Sequence, residues 1–136
     1  MATILQISNA DRNLSYFCKA LKLSGLEDRL NETGPFTLLV PVNLAFQQFD
    51  SSLTGDIFSR ENLSKLVRLL SGHILTGKNM FDNFANGRQL TTIAGNDVDV
   101  SVKNGEVRIN NAKILSKDRQ GKNGVVHSVD TIYTVQ

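Results

Sequence analysis

Two histidines, His73 and His127, and one cysteine, Cys18, are the residues most able to do chemistry. A histidine pair can hold a metal or share acid–base work, with Asp118 or Asp130 completing a set of three. A structural zinc asks for four ligands, and no metal-site spacing links these four residues. The favoured reading of each histidine is structural: a ring beside a strand, bonded to backbone or a buried polar partner. Asp97 and Asp99 alternate on a strand and so share a face. Paired carboxylates can bind calcium or move protons, but no further oxygen ligands follow at calcium-loop spacing, so they read as a solvated face. Cys18 lies on one stripe with Leu14, Phe17 and Leu21, which makes a buried thiol the better reading than a nucleophile. A lone cysteine also forms no internal disulfide. Gly-x-Ser-x-Gly and phosphate-cradling Gly-rich loops are missing from the sequence. The expectation is therefore no catalytic residue, no metal and no cofactor, with a hydrolase built on His73 or His127 barely supported.

Elements that position these residues must come from one domain, because 136 residues bury one real core. Hydrophobic residues make up 40% and charged residues 21%, which excludes long disorder. A formal charge of +2 is too small to imply nucleic acid or an anionic membrane. The densest basic stretch, Lys117 to Lys122, reads as a charged loop, with a weak docking patch as the alternative. The sequence contains no apolar run long enough to cross a membrane as a helix. The first residues lack the basic and apolar regions of a signal peptide. A cytosolic protein and a removed signal both fit that beginning.

The first half reads as helical. Leu14, Phe17, Cys18 and Leu21 form an i, i+3, i+4, i+7 stripe, with Asn9 or Asp11 as cap and Gly25 as interruption. Phe36 to Val40 is a short strand bounded by Pro35 and Pro41. Pro41 has no N–H, so the strand ends there or pairs on one side only. Asn43 is placed to cap a helix carrying Leu44, Ala45, Phe46 and Phe49, followed by a polar loop from Asp50 to Asp56. Leu63, Leu66, Val67 and Leu70 repeat the helical stripe, between Ser59 and Gly72.

From Arg88 the period becomes two. The segment VDVSVKNGEVRIN predicts a hairpin turning at Asn104-Gly105, where both residues need positive φ. A two-residue loop sets Lys103 opposite Glu106, Val102 opposite Val107, Ser101 opposite Arg108 and Val100 opposite Ile109. One face is then apolar, from Val98 to Ile109, and the other carries a Lys103–Glu106 pair. A one-residue slip would destroy that sorting. Gln89–Ala94, Ala112–Leu115 and Val125–Val135 are further strand candidates. Helices first and strands later predict an α+β domain with a mainly antiparallel sheet.

TLLVPVNLAF, Thr37 to Phe46, resembles the first signature box of fasciclin-like domains, marked by Thr37, Pro41, Asn43 and Phe46. NGVVHSVDTIY, Asn123 to Tyr133, resembles the second, marked by Gly124, His127 and Asp130. Between them, LSKLVRLLSGHILTGK at Leu63–Lys78 is similar to the family's central helix-to-strand segment, and LTTIAGNDVDVSVKNGEVRINNAKI at Leu90–Ile114 to the run that follows it. The resemblance covers about Leu14 to Tyr133. It implies a β-wedge or sandwich of mainly antiparallel strands flanked by several helices, in one domain over residues 1–136. It also implies a non-enzymatic adhesion module, secreted, periplasmic or at the cell surface. Its partner would be a protein or matrix component and not nucleic acid. Membrane proximity would come through an anchor missing from this chain, and the state would be monomer or weak homo-oligomer.

Gly72 and His73 stand where many members carry a Tyr-His pair, so the resemblance leaves integrin-type recognition in doubt. The contact expectation falls on the central segment: Gly72, His73, Ile74, Met80, Phe81 and Phe84. Met80, Phe81 and Phe84 sit at a spacing that could share a helical side, either as core or as an apolar contact patch. A lipid or pigment carrier is the alternative function, with Phe81 and Phe84 lining a cleft between helix and sheet.

Overall fold

A computed structural model describes residues 2–32, 34–52 and 63–133, with the backbone alone at 49–52. The chain opens with a short helix, α1 (Ile4–Asn9), started by a capping box between Thr3 and Gln6. Asp11 accepts from the Asn13 N–H and caps a 3₁₀ turn at Arg12–Leu14. Helix α2 (Ser15–Ser24) follows and buries Phe17, Cys18, Ala20 and Leu21, the expected stripe and its neighbour. Gly25 ends it at φ 81°, a conformation that costs other residues more. Helix α3 (Leu26–Leu30) then leads to β1 (Phe36–Pro41).

Helix α4 spans Asn43–Ser52, so residues 50–52 of the expected polar loop are helical, and the rest of that loop lies outside the described residues. Asn43 does not cap α4. It sits inside the first turn, and its Oδ1 accepts from the Tyr16 N–H at 2.9 Å. Its Nδ2 donates to the Arg12 carbonyl at 2.8 Å and to Ser15 Oγ at 2.9 Å. Leu14, at the N-cap of α2, brings no side-chain bond there, so Asn43 fills that role across the chain. Helix α5 (Leu63–Ser71) buries Leu66 and Leu70 and stops just before Gly72, as the stripe predicts. The expected Ser59 start lies outside the described residues.

Among the described residues seven strands follow the order β2-β1-β7-β6-β5-β4-β3 in one sheet. These are β1, β2 (Ile74–Thr76), β3 (Gln89–Thr91), β4 (Asp97–Lys103), β5 (Glu106–Ile109), β6 (Ala112–Gly121) and β7 (Gly124–Val129). Among the described residues only β1 and β7 run parallel; the other pairs are antiparallel. The α+β class with a mainly antiparallel sheet therefore holds. The wedge is a single sheet curled until Leu75 bridges Thr92 and its two edge strands nearly meet. That closure leaves little free edge.

The β4–β5 hairpin has the predicted register, Val100↔Ile109 through Lys103↔Glu106, and Asn104 and Gly105 take φ 55° and 80°. Its expected Lys103–Glu106 pair is replaced. Glu106 binds Arg108 at 2.6 Å and Lys113 at 3.3 Å instead. Pro41 pairs with β7 alone, since β2 stops at Leu38 on the other edge. Gly124 faces Phe36 across the parallel pair, and a Cβ there would overlap the Phe36 carbonyl oxygen.

Two cores result. Phe36, Leu38, Val40 and Val126 turn to the helices and pack with Phe17, Leu21, Phe46, Leu66 and Leu70. Leu39 and Val129 turn into the curl, with Val98, Val100, Val107, Ile109 and Phe84. The alternation along β1 and β7 divides the side chains between the two layers.

Candidate functional site

Central-segment residues fall into two groups. Gly72, His73 and Ile74 form the turn from α5 into β2 and are all buried, His73 at 1% exposure. They present no surface to a partner, so the contact expectation does not rest on them directly. Phe84 is also buried, inside the curl, with Phe81 packed beside it. Met80 and Phe81 are half-buried and reach the surface.

His73 is held on both ring nitrogens. Nδ1 lies 2.9 Å from the Leu69 carbonyl, and Nε2 accepts from the Tyr133 N–H at 3.3 Å. Since Nε2 accepts, Nδ1 carries the hydrogen and donates to Leu69. The Tyr133 ring stacks on the imidazole at 4.0 Å between centroids, and its hydroxyl donates to the Gly72 carbonyl at 2.6 Å. Burial drives the His73 pKa down to about 4, against the raising effect of the Leu69 bond. Burial also raises the Tyr133 phenol. Both groups are neutral at physiological pH, and the ring is closed off as a general base or metal ligand.

His127, on β7, points into the curl. Its Nδ1 accepts from the Asp118 N–H at 3.2 Å, and its Nε2 lies 2.8 Å from the Asn79 carbonyl. The hydrogen therefore sits on Nε2 and is donated to Asn79. Phe84 meets the ring edge-on at 5.3 Å. Burial lowers the His127 pKa, against the raising effects of Asn79 and the Asp118 charge. Thr37 extends the network: its Oγ1 donates to the Gly77 carbonyl at 2.8 Å and accepts from the Asn79 N–H at 2.8 Å.

That network joins two stretches distant in sequence. The Asp118 carboxylate accepts from the Phe81 N–H at 2.8 Å. Lys117 holds its ammonium 4.0 Å above the Phe81 ring. Lys78 donates to Gln120 Oε1 at 2.6 Å, and Arg119 pairs with Asp11 at 2.8 Å. The stretch Lys117–Lys122 is not a loop, as its charges suggested. It is mostly strand β6, continued through two register shifts, with Asp118 at φ 58°.

The remaining chemical candidates are structural. Cys18 is buried, and burial pushes its thiol up to about 11, far from a nucleophile's range. Asp97 and Asp99 stand on the exposed face and accept from Thr91 and Gln89. Asp130 accepts from the Lys113 N–H at 2.9 Å and fastens the end of β7 to β6. Among the described residues no group of three or more His, Cys, Asp or Glu side chains could hold a metal ion. None of their helices is long and apolar enough to cross a membrane. Cavities of about 420 Å³ beside α2 and 340 Å³ near Gly34–Phe36 have neither Phe81 nor Phe84 among their described lining residues. Phe84 fills the curl instead of lining the cleft a carrier would need.

Asn123 is a structural residue that sequence reading reduces to a turn. Its side chain donates to the Leu30 and Glu32 carbonyls and accepts from the Ile4 N–H, tying α1, α3 and β7 together. Its place beside Gly124 is the only sequence signal for it.

A nearly closed sheet under a helical layer, with both buried histidines, Thr37, Asn79 and Asn123 bonded internally, defines a compact scaffold domain. The fasciclin domain family model matches residues 12–134, and the chain belongs to that family. It is 31% identical to Protein sll1483 of Synechocystis sp., over 96% of this chain and 72% of that protein. It is 35% identical to human periostin over 89% of this chain and 14% of that protein. For the pig transforming growth factor-beta-induced protein ig-h3 the identity is 28%, over 97% and 19%. The chain thus spans a small fraction of those longer relatives. A solved FAS1 domain pair from the insect cell adhesion molecule fasciclin I superposes with a TM-score of 0.76 at 20% identity, covering 96% of this chain and 50% of that one. At that identity the likeness speaks for the fold.

Proposed function

We propose that this domain is a non-enzymatic interaction module for adhesion, working outside the cytoplasm on a protein or matrix partner. Its contact face is formed by Met80 and Phe81 together with Lys117 and the bulged part of β6. The observation that carries the reading is the junction itself. An apolar segment and a basic stretch nominated separately in the sequence meet through the Phe81–Asp118 bond and the Lys117–Phe81 contact. Half-buried aromatic and methionine side chains with an adjacent cation are suited to protein contacts. Fasciclin I, which shares the fold, is an adhesion molecule. The buried His127 and Phe84 support this face from beneath.

The test is capture from cell-surface and matrix extracts by the wild-type domain and by a Phe81→Ala/Lys117→Ala double variant. A partner held by the wild type and lost by the variant is expected. No specific capture across several conditions, or equal capture by both, refutes the reading.

A further inference from the structure

Resting on that contact reading, we propose that His127 is a proton-sensitive pin for Gly77–Phe84, releasing this segment on protonation while helices and sheet stay folded. The segment joins β2 to β3 and contains only the 3₁₀ turn at Phe81–Asn83. No strand ladder holds it. Its tethers to the sheet run mainly through side chains: Thr37 to the Gly77 carbonyl and to both Asn79 amides, Lys78 to Gln120, His127 to the Asn79 carbonyl, and Asp118 to the Phe81 N–H. The last two depend on His127. The ring binds Asn79 directly, and by accepting from the Asp118 N–H it fixes the residue whose carboxylate holds Phe81.

Neutral imidazole fits this site because one nitrogen must accept and the other donate. A second proton puts an N–H on Nδ1, facing the Asp118 N–H, donor against donor. The new N–H and positive charge then compete with Phe81 for the Asp118 carboxylate. That carboxylate is the charge felt by the ring. Other charged groups around the site are otherwise engaged or exposed. Lys117 lies over Phe81, Arg119 pairs with Asp11, Lys78 bonds Gln120, and Asp82 is exposed. Strands β1 and β7 bring no other titratable side chain. Burial favours the neutral ring in the closed state. Closure is therefore complete above the ordinary histidine pKa of about 6.5 and weakens as pH falls below it, by up to about tenfold per pH unit. An acidic compartment would loosen the contact face and a neutral one would set it.

Amide hydrogen exchange on the whole chain, corrected for intrinsic rates, tests this between pH 7 and pH 5. Relative to β4 and β5, protection across Gly77–Phe84 should fall about tenfold in the wild type, and this excess should be absent in His127→Gln. Retained protection in the wild type, or equal opening in His127→Gln, overturns the proposal. If His127→Gln does not fold, the wild-type His127 ring signal and the Asn79 and Phe81 amide signals are titrated together by NMR. A shared midpoint supports the pin, and a titrating ring with unmoved amides refutes it. No partner enters these measurements, so this proposal and the contact reading fail separately.

Discussion

His73 and His127 are alike in chemistry and differ in what they hold. Each ring is buried, neutral and bonded on both nitrogens, once to a backbone carbonyl and once to a backbone N–H. His73 ties the end of α5 to Tyr133, between elements already held by packing in the two cores. His127 ties down a segment that has no ladder of its own. The same group thus reinforces the whole fold in one place and a local surface in the other. Stability is not uniform through a domain, and segments held by few bonds open first. Burial of a histidine tells little about its role until the partner on the far side of the ring is named.

The comparison can be broken by substitution. His73→Ala removes two hydrogen bonds and the Tyr133 stack, and should cost roughly 4 kcal/mol in urea unfolding at pH 7. Acid acts on the same group. The fall of its pKa from 6.5 to about 4 makes stability fully present above pH 6.5 and lost as pH drops towards 4, by roughly 3 kcal/mol in total. A flat unfolding free energy between pH 6.5 and 4 would remove His73 from the account. His127→Ala should cost less globally, about 2 kcal/mol, with opening concentrated at Gly77–Phe84. Tyr133→Phe leaves the Gly72 carbonyl without its 2.6 Å partner and should cost about 1–2 kcal/mol, read as a lower melting temperature. Asn43→Ala uncaps α2 and should cost about 1 kcal/mol, the smallest of the set.

Much of the fold could be read from sequence where structure is local. Alternation plus Asn104-Gly105 specifies the hairpin down to its residue pairs, because period two allows one register that sorts both faces. The stripes of α2 and α5 and the one-sided pairing at Pro41 are legible for similar reasons. Helix α1 escapes notice because six residues show too little periodicity. Of strand β6 only Ala112–Leu115 is legible, because register shifts and the positive φ of Asp118 break the alternation just where charges cluster. Asn43 reads as the cap of its own helix because its partner, Tyr16, lies 27 residues away. The proposed contact face is half visible. Met80, Phe81 and the basic stretch stand out by type, but their junction is a tertiary event across 37 residues. Gly72, His73 and Ile74 stand out only by resemblance, and the turn they form is covered by Tyr133.

Limited trypsin digestion after Lys78, scored beside global unfolding at pH 7 in His127→Ala and His73→Ala, tests the central distinction most directly. In His127→Ala, cleavage after Lys78 should run about tenfold or more ahead of the rate that global unfolding allows, while in His73→Ala it should follow global unfolding. Cleavage that tracks global stability equally in both variants would contradict the account.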